Sequence, residues 1–165
     1  MSNQTDNTKA ETEEEHIEQW VSFRIEHEYY ALSIYDVREI APYIATDQVP
    51  GASDIVEGVL NIRGSVATIL NGRRFIASGQ LSAEPSKHIV VLDISSELMG
   101  ICVDEIGGII SFSNSKVQPN LNSVKNEIIC GTVHIEEQLY ILLDLKNFIE
   151  TINLKTVVED NELNV

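Results

Sequence analysis

Alternation of apolar and polar residues with a period of two is the feature that most constrains how this chain folds. Val21, Phe23 and Ile25 alternate with polar neighbours, and Tyr30 to Ile34 alternates again after His27-Glu28. Because successive side chains of a strand point to opposite faces, each run predicts a strand with one buried face. Together the two runs predict an antiparallel hairpin.

Runs of this kind recur along the chain between turn residues, at spacings of roughly 8 to 12 residues. We predict about nine or ten short strands, which favours a barrel or sandwich because a flat sheet would leave exposed edges. The fold class is therefore predicted to be all-β. Predicted helical pieces are few: an irregular or helical segment over Asp36 to Ile40, one turn capped by Ser53, and an amphipathic helix over Leu145 to Ile152.

The segment after the predicted strand Val66 to Leu70 has two interpretations. Asn71-Gly72 is a strong hairpin signal, whereas Arg73 to Ile76 fits the start of a short helix equally well. Further along, Met99 to Ile106 is predicted as one strand, and Gly107-Gly108 predicts a bulge or bend after it.

The chain is strongly acidic, with 26 acidic and 11 basic side chains and a formal net charge of −15. A surface of this sign repels phosphate backbones, so we do not expect nucleic-acid binding. Both ends of the chain are polar and lack periodicity, and we predict disordered tails over residues 1–15 and 154–165. A single domain is predicted over residues 16–153.

Neither a signal peptide nor a membrane span is predicted. The longest apolar run is Leu139 to Leu143, whereas a span needs about 20 apolar residues. We therefore expect a cytoplasmic protein without direct membrane insertion. Cys102 and Cys130 both lie in apolar, strand-like runs, which predicts buried free thiols.

Motifs of catalysis are absent from the sequence. There is no Gly-x-Ser-x-Gly elbow, no Walker-type loop and no Gly-x-Gly-x-x-Gly. His134 and Glu136 stand two apart, as metal ligands on a strand would, but ordinary polar residues at a hairpin end explain them equally well. Asp104 and Glu105 are strand neighbours whose carboxylates point to opposite faces. We predict no catalytic site, no metal and no cofactor.

One strand carries polar residues in an unusual pattern. Gly58-Val59-Leu60-Asn61-Ile62-Arg63-Gly64 places Asn61 and Arg63 on alternate positions among apolar residues, facing the same side of a strand from Val59 to Arg63. A solvated outer face is one interpretation. The other is an organised polar contact, for which Glu39 is a suitable partner.

This heptapeptide closely resembles the signature of the CheW-like domain family, which reads Gly, two aliphatics, Asn, Leu or Ile, Arg, Gly. Neighbouring segments resemble the family in order and spacing, and the resemblance covers roughly residues 17–150. They are Val37-Arg38-Glu39-Ile40, Val49 to Ala52, His88 to Leu92, Met99 to Ile106 and Gly131 to Leu145. The chain departs from the family where Thr68 replaces a proline and where Asn71-Gly72-Arg73 stands for Asp-Leu-Arg.

The resemblance implies two intertwined SH3-like β-barrels of five strands each, with a short C-terminal helix. It also implies a non-enzymatic adaptor that couples the cytoplasmic tips of chemoreceptors to the regulatory domain of the histidine kinase CheA. Self-association in array rings belongs to the same expectation. Such a protein is recruited to membrane-associated receptor arrays.

The family's motifs imply a set of partner-binding residues. Val37 and Ile40 are expected to supply apolar contact, and Glu39 and Arg63 are expected to pair and hold a binding face in register. The full set is Val37, Glu39, Ile40, Asn61, Arg63 and Gly64.

Two other functions compete with chemotaxis coupling. A divergent CheW-like adaptor would serve another kinase pathway, such as pilus-based motility, or act as a decoy array subunit, and its support is the substitutions at Thr68 and Asn71-Gly72. A small β-barrel enzyme would need a pocket with convergent polar groups or perturbed acids.

Overall fold

The computed structural model describes residues 14–77, 80–120 and 127–149. The predicted tails lie outside these ranges, apart from residues 14 and 15, which are exposed. Within the described ranges the chain forms two β-sheets, a five-residue α-helix, and the first helical residues of a C-terminal segment over 146–149.

The first sheet has the strand order β8-β1-β2-β11-β10-β9, and the second has the order β3-β6-β7-β5-β4. β9 has only two residues, so each sheet has five longer strands. The elements in chain order are β1 (Ile17–Ile25), β2 (Glu28–Ser33), β3 (Val37–Pro42), β4 (Val56–Ile62), β5 (Ser65–Asn71), α1 (Gly72–Ile76), β6 (His88–Ile94), β7 (Glu97–Val103), β8 (Glu105–Ser113), a 3-10 turn (Asn114–Lys116), β9 (Gln118–Pro119), β10 (Ile129–Ile135) and β11 (Gln138–Leu143).

The two sheets are interwoven along the chain. β1 and β2 pair as the predicted hairpin, the chain then builds the second sheet from β3 to β7, and it returns to the first sheet at β8. The parallel pairs β2–β11 and β5–β7 connect early strands to late ones. This arrangement of two SH3-like barrels confirms the all-β prediction.

Apolar burial is concentrated between the sheets. The largest cluster joins side chains from both sheets, and we call it the seam; its members include Phe23, Ile25, Leu32, Leu92, Ile101 and Leu143. Smaller clusters lie within the first sheet's barrel, around Phe112, and within the second, around Ile69. Because burial is the main favourable term in folding, the seam fixes the two barrels to each other.

The predicted irregular or helical segment over Asp36 to Ile40 is wrong, because it contains most of β3. The register of β3 on β6 shifts between Val37 and Glu39, so Arg38 is an extra bulged residue. The bulge lets Val37 and Ile40 lie opposite the seam residues Leu92 and Val90 despite standing three apart. A spacing of three is also the helical spacing, which explains the wrong prediction.

Three other local predictions have different outcomes. Ser53 begins a turn, with Val56 N donating to its carbonyl at 2.9 Å, so no helical turn forms there. Met99 to Ile106 is not one strand, because the chain changes sheets at Asp104. The bulge at Gly107-Gly108 is confirmed by a register shift between β1 and β8.

Of the two cysteines, Cys102 is buried as predicted and Cys130 is exposed, so the prediction for Cys130 is wrong. The register of β10 on β11 shifts between Ile129 and Gly131, which places Cys130 at an irregularity that breaks the strand alternation. Burial raises the pKa of the Cys102 thiol to about 12. The predicted C-terminal helix is present over residues 146–149, and the rest of it lies outside the described residues.

No helix in the described ranges is long and apolar enough to cross a membrane.

Candidate functional site

The β4–β5 hairpin turn presents the charged residue of the sequence signature. Arg63 and Gly64 form the two-residue turn between Ile62 and Ser65, with φ angles of 52° and 86°. Gly64 N donates to Asn61 Oδ1 at 2.9 Å, so the Asn61 side chain closes the turn. Arg63 lies in the turn beyond the end of β4, so the prediction that it shares a strand face with Asn61 is wrong.

The predicted pair between Glu39 and Arg63 is confirmed. Arg63 Nε lies 3.1 Å from Glu39 Oε2, with the two side chains 74% and 28% exposed. Glu39 belongs to β3 and Arg63 to the β4–β5 turn, which are at the two edges of the second sheet. The ion pair therefore bridges the sheet edges at the protein surface.

Exposed apolar side chains occur on the elements that carry this ion pair and in the loop after β3. Ile40, next to Glu39 on β3, is 43% exposed, whereas Val37 is partly buried against the seam. Val66 lies opposite Asn61 on the hairpin and is exposed, as is Ile44 in the loop after β3. We call Glu39, Arg63, Ile40, Ile44 and Val66 the β3 face. A mixture of exposed aliphatic and charged groups is what a protein-binding surface requires.

The loop after β3 is held in place by Glu57 of β4. Tyr43 Oη donates to Glu57 Oε1 at 3.0 Å, and Asn71 Nδ2 donates to Glu57 Oε2 at 2.9 Å. Thr46 Oγ1 donates to the carbonyl of Glu57 at 3.0 Å. These bonds fix the loop segment that carries Ile44.

A second charged cluster, which we did not predict from the sequence, lies where the two barrels meet. Arg73 Nε lies 3.0 Å from Glu26 Oε1, and Arg73 Nη2 lies 2.6 Å from Asp104 Oδ1. The side chains of Arg73, Glu26 and Asp104 are 11%, 14% and 10% exposed. We call these three residues the Arg73 cluster.

The Arg73 cluster also holds the connection between α1 and β6. Arg73 Nη1 donates to the carbonyls of Ser82 and Glu84, and Ser82 N donates to Glu26 Oε1 at 2.8 Å. Glu26 N donates to Asp104 Oδ2 at 2.7 Å. Nε, Nη1 and Nη2 of Arg73 each have an acceptor, and the cluster is organised as a structural junction.

The acidic and metal-ligating side chains of the described residues are arranged as follows. Among the described residues, no group of three or more His, Cys, Asp and Glu side chains is arranged to hold a metal ion. Asp104 and Glu105 bind different arginines, Arg73 and Arg24, which leaves neither as a free acid beside the other.

Comparison with known proteins agrees with this geometry. Residues 19–153 match the family model described as CheW-like domain. This chain belongs to the CheW-like domain family. The match covers the signature, both sheets and the β3 face.

Similar proteins are the chemotaxis protein CheW of Klebsiella aerogenes and protein PilI of Pseudomonas aeruginosa. The first is 23% identical over 81% of this chain and 82% of its own length. The second is 24% identical over 76% of this chain and 73% of its own length. A crystal structure of the scaffolding protein TtCheW from Thermoanaerobacter tengcongensis superposes with a TM-score of 0.72 and 20% identity, covering 79% of this chain and 90% of that one. The last comparison shows the shared fold.

The departure from the family at Asn71-Gly72-Arg73 has a structural explanation. The helical alternative of the sequence is the correct one, because Asn71 caps α1 by accepting from Arg74 N at 3.1 Å. A Cβ at Gly72 would overlap the carbonyl oxygen of Cys102, so α1 packs on β7 closer than a larger residue would allow. Arg73, which aligns with the arginine of the CheW-like pattern, is the centre of the buried cluster.

Proposed function

We propose that this chain is a non-enzymatic adaptor that couples chemoreceptors to a CheA-type histidine kinase in the cytoplasm. Its membership of the CheW-like family supports a scaffold role, as does its likeness to a scaffolding protein. The observation that carries the proposal is the surface Glu39–Arg63 ion pair, on elements that also expose the aliphatic side chains Ile40 and Val66. Neither charge is needed to satisfy a buried partner, so both are available to another protein.

Recruitment to membrane-associated arrays follows from this proposal through the receptors, without insertion of the adaptor itself. Val37, Glu39, Ile40, Asn61, Arg63 and Gly64 are the proposed partner-binding set. Glu39, Ile40 and Arg63 are proposed to contact the partner, because they are partly or largely exposed. Asn61 and Gly64 are proposed to act indirectly, by shaping the turn that presents Arg63.

The proposal is tested by calorimetric titration of the intact protein with the regulatory domain of the CheA-type kinase from the same cell, alongside Arg63→Glu. We expect saturable binding that Arg63→Glu weakens by about tenfold or more, since the reversal places two carboxylates together on the β3 face. A matched control is Arg38→Glu, which reverses an exposed charge on β3 that pairs with Asp93 and not with the Glu39–Arg63 ion pair. Absence of binding by the intact protein would contradict the proposal.

A second candidate is an adaptor for a different kinase pathway, such as pilus-based motility. The similarity to PilI supports it, because that relative is as close in identity as the chemotaxis relative. Titration with the kinases of both pathways separates the two candidates by which kinase binds.

A further inference from the structure

A groove of about 520 Å³ opens at one end of the first barrel. Its walls include Trp20 from β1 and Tyr35 from the β2–β3 turn, with Ile17 beside them. Tyr35 is 92% exposed, so its ring stands free at the rim. An aromatic ring held this far into solvent contributes little to its own fold and is suited to contact a ligand.

The charge lining this groove is mostly negative. Glu18, Asp36 and Asp144 contribute three carboxylates, and Lys146 contributes one ammonium group. Glu18 Oε2 accepts from the indole N–H of Trp20 at 2.9 Å, which fixes the ring in the groove wall. An aromatic wall beside excess negative charge is complementary to a cation.

Asp36 is the residue that most directly indicates a ligand. It is 9% exposed, and its backbone is satisfied through Ser33 and Asp93. Its carboxylate nevertheless has no hydrogen bond or ion pair with any side chain that the structure describes, although it lines the groove. Burial raises the pKa of Asp36, while Lys146 lowers it and Asp144 raises it further. The groove gives solvent access to this carboxylate, so a cation in the groove would donate hydrogen bonds to it and favour its charged form.

We propose that this groove binds an arginine side chain carried by a basic segment of a partner protein. A guanidinium group donates two parallel hydrogen bonds to a carboxylate and stacks on aromatic rings, so Asp36, Trp20 and Tyr35 together suit it. The net charge of −15 favours a basic partner. This inference is independent of which kinase or receptor the β3 face binds.

Trp20 is the single tryptophan of the chain, so its fluorescence reports on the groove directly. We would titrate the intact protein with the peptide acetyl-Gly-Arg-Gly-amide and with the same peptide carrying neutral citrulline in place of arginine. We expect a saturable fluorescence change with arginine and an affinity for citrulline lower by about tenfold or more. Equal affinities for the two peptides would overturn the proposal.

Matched variants locate the binding. Asp36→Asn is expected to weaken the arginine peptide by about tenfold or more, whereas Asp54→Asn removes the same charge from an exposed turn and should change affinity by less than about twofold. Tyr35→Ala, at a side chain that is mostly in solvent, should weaken binding by about threefold without affecting folding. Thermal unfolding of each variant checks that the fold is retained.

Other occupants would give different results. Tighter binding of tetramethylammonium than of the arginine peptide would overturn the proposal in favour of a small organic cation. If Lys155 of this chain occupied the groove, it would compete with the peptide, so Lys155→Gln would bind the arginine peptide more tightly. That result would overturn the proposal in favour of the chain's own C-terminal segment. Unchanged affinity in Asp36→Asn would overturn it outright.

Discussion

The two charged clusters of this protein are built in the same way and differ mainly in burial. Each uses a charged residue at the first position of a two-residue hairpin turn, Arg63 with φ 52° and Glu26 with φ 54°. Arg63 meets Glu39 at the surface, whereas Glu26 meets Arg73 in the interior. The same local geometry therefore supports two different kinds of contact.

Burial decides what each contact contributes to stability. An exposed ion pair contributes about 0–1 kcal/mol, because water and salt screen it. Removing one partner of a buried pair costs about 3–5 kcal/mol, because the other charge is left unpaired in the interior. The Arg73 cluster therefore contributes to stability, whereas the Glu39–Arg63 pair contributes little to it, as the recognition role proposed for it requires.

The largest loss of stability is expected from Arg73→Met, which keeps most of the side-chain length and removes the charge. Glu26 and Asp104 would then be buried without their cation, and the carbonyls of Ser82 and Glu84 would lose their donor. We expect the free energy of unfolding in urea to fall by about 3 kcal/mol or more.

Arg74→Met is the control for this variant, because Arg74 is the exposed neighbour whose side chain donates to the Asp54 carbonyl at 3.3 Å and forms no ion pair with a described residue. We expect a loss below about 0.5 kcal/mol for this change. Equal losses in the two variants would contradict the distinction between the buried and exposed arginines.

A smaller loss of stability is expected from Asn71→Asp, which introduces the residue common in the family. The carboxylate would keep the cap on α1 but lose the hydrogen bond from Asn71 Nδ2 to Glu57 and place two carboxylates together. We expect destabilisation by about 1–2 kcal/mol at neutral pH, measured by urea unfolding. The paired variant Asn71→Asp with Glu57→Gln should recover most of this loss, and failure to recover would show that the Glu57 contact is not its cause.

Much of the fold could be predicted from local sequence patterns, because strand alternation and two-residue turns depend on residues that are close together in the chain. The hairpin at Ile25 to Glu28 illustrates this. The wrong predictions lie at bulges, where one extra residue reverses the alternation of side chains. The bulged residue Arg38 gives β3 an apolar spacing of three, as in a helix. The irregularity at Cys130 exposes a thiol that was predicted to be buried. The position of a bulge depends on the partner strand, which the local sequence does not specify.

The candidate site divides in the same way. Glu39 and Arg63 could be paired from the family motifs, and the structure confirms their contact. The Arg73 cluster could not, because Asp104 is 31 positions beyond Arg73 and only the sheet topology brings them together. Its one sequence signal was the arginine of Asn71-Gly72-Arg73, which the family pattern retains.

Stability and kinase binding, measured together in Arg63→Asn, test whether Arg63 serves recognition. Asparagine adopts positive φ more readily than arginine and suits a turn followed by glycine, so we expect the free energy of unfolding to rise by about 0.5 kcal/mol. Because the variant removes the exposed charge of the β3 face, affinity for the kinase regulatory domain should fall by about fivefold or more in calorimetric titration. A more stable protein with weaker binding is the predicted result. Unchanged affinity, or a loss of stability comparable to that of Arg73→Met, would contradict the claim that Arg63 is kept for recognition.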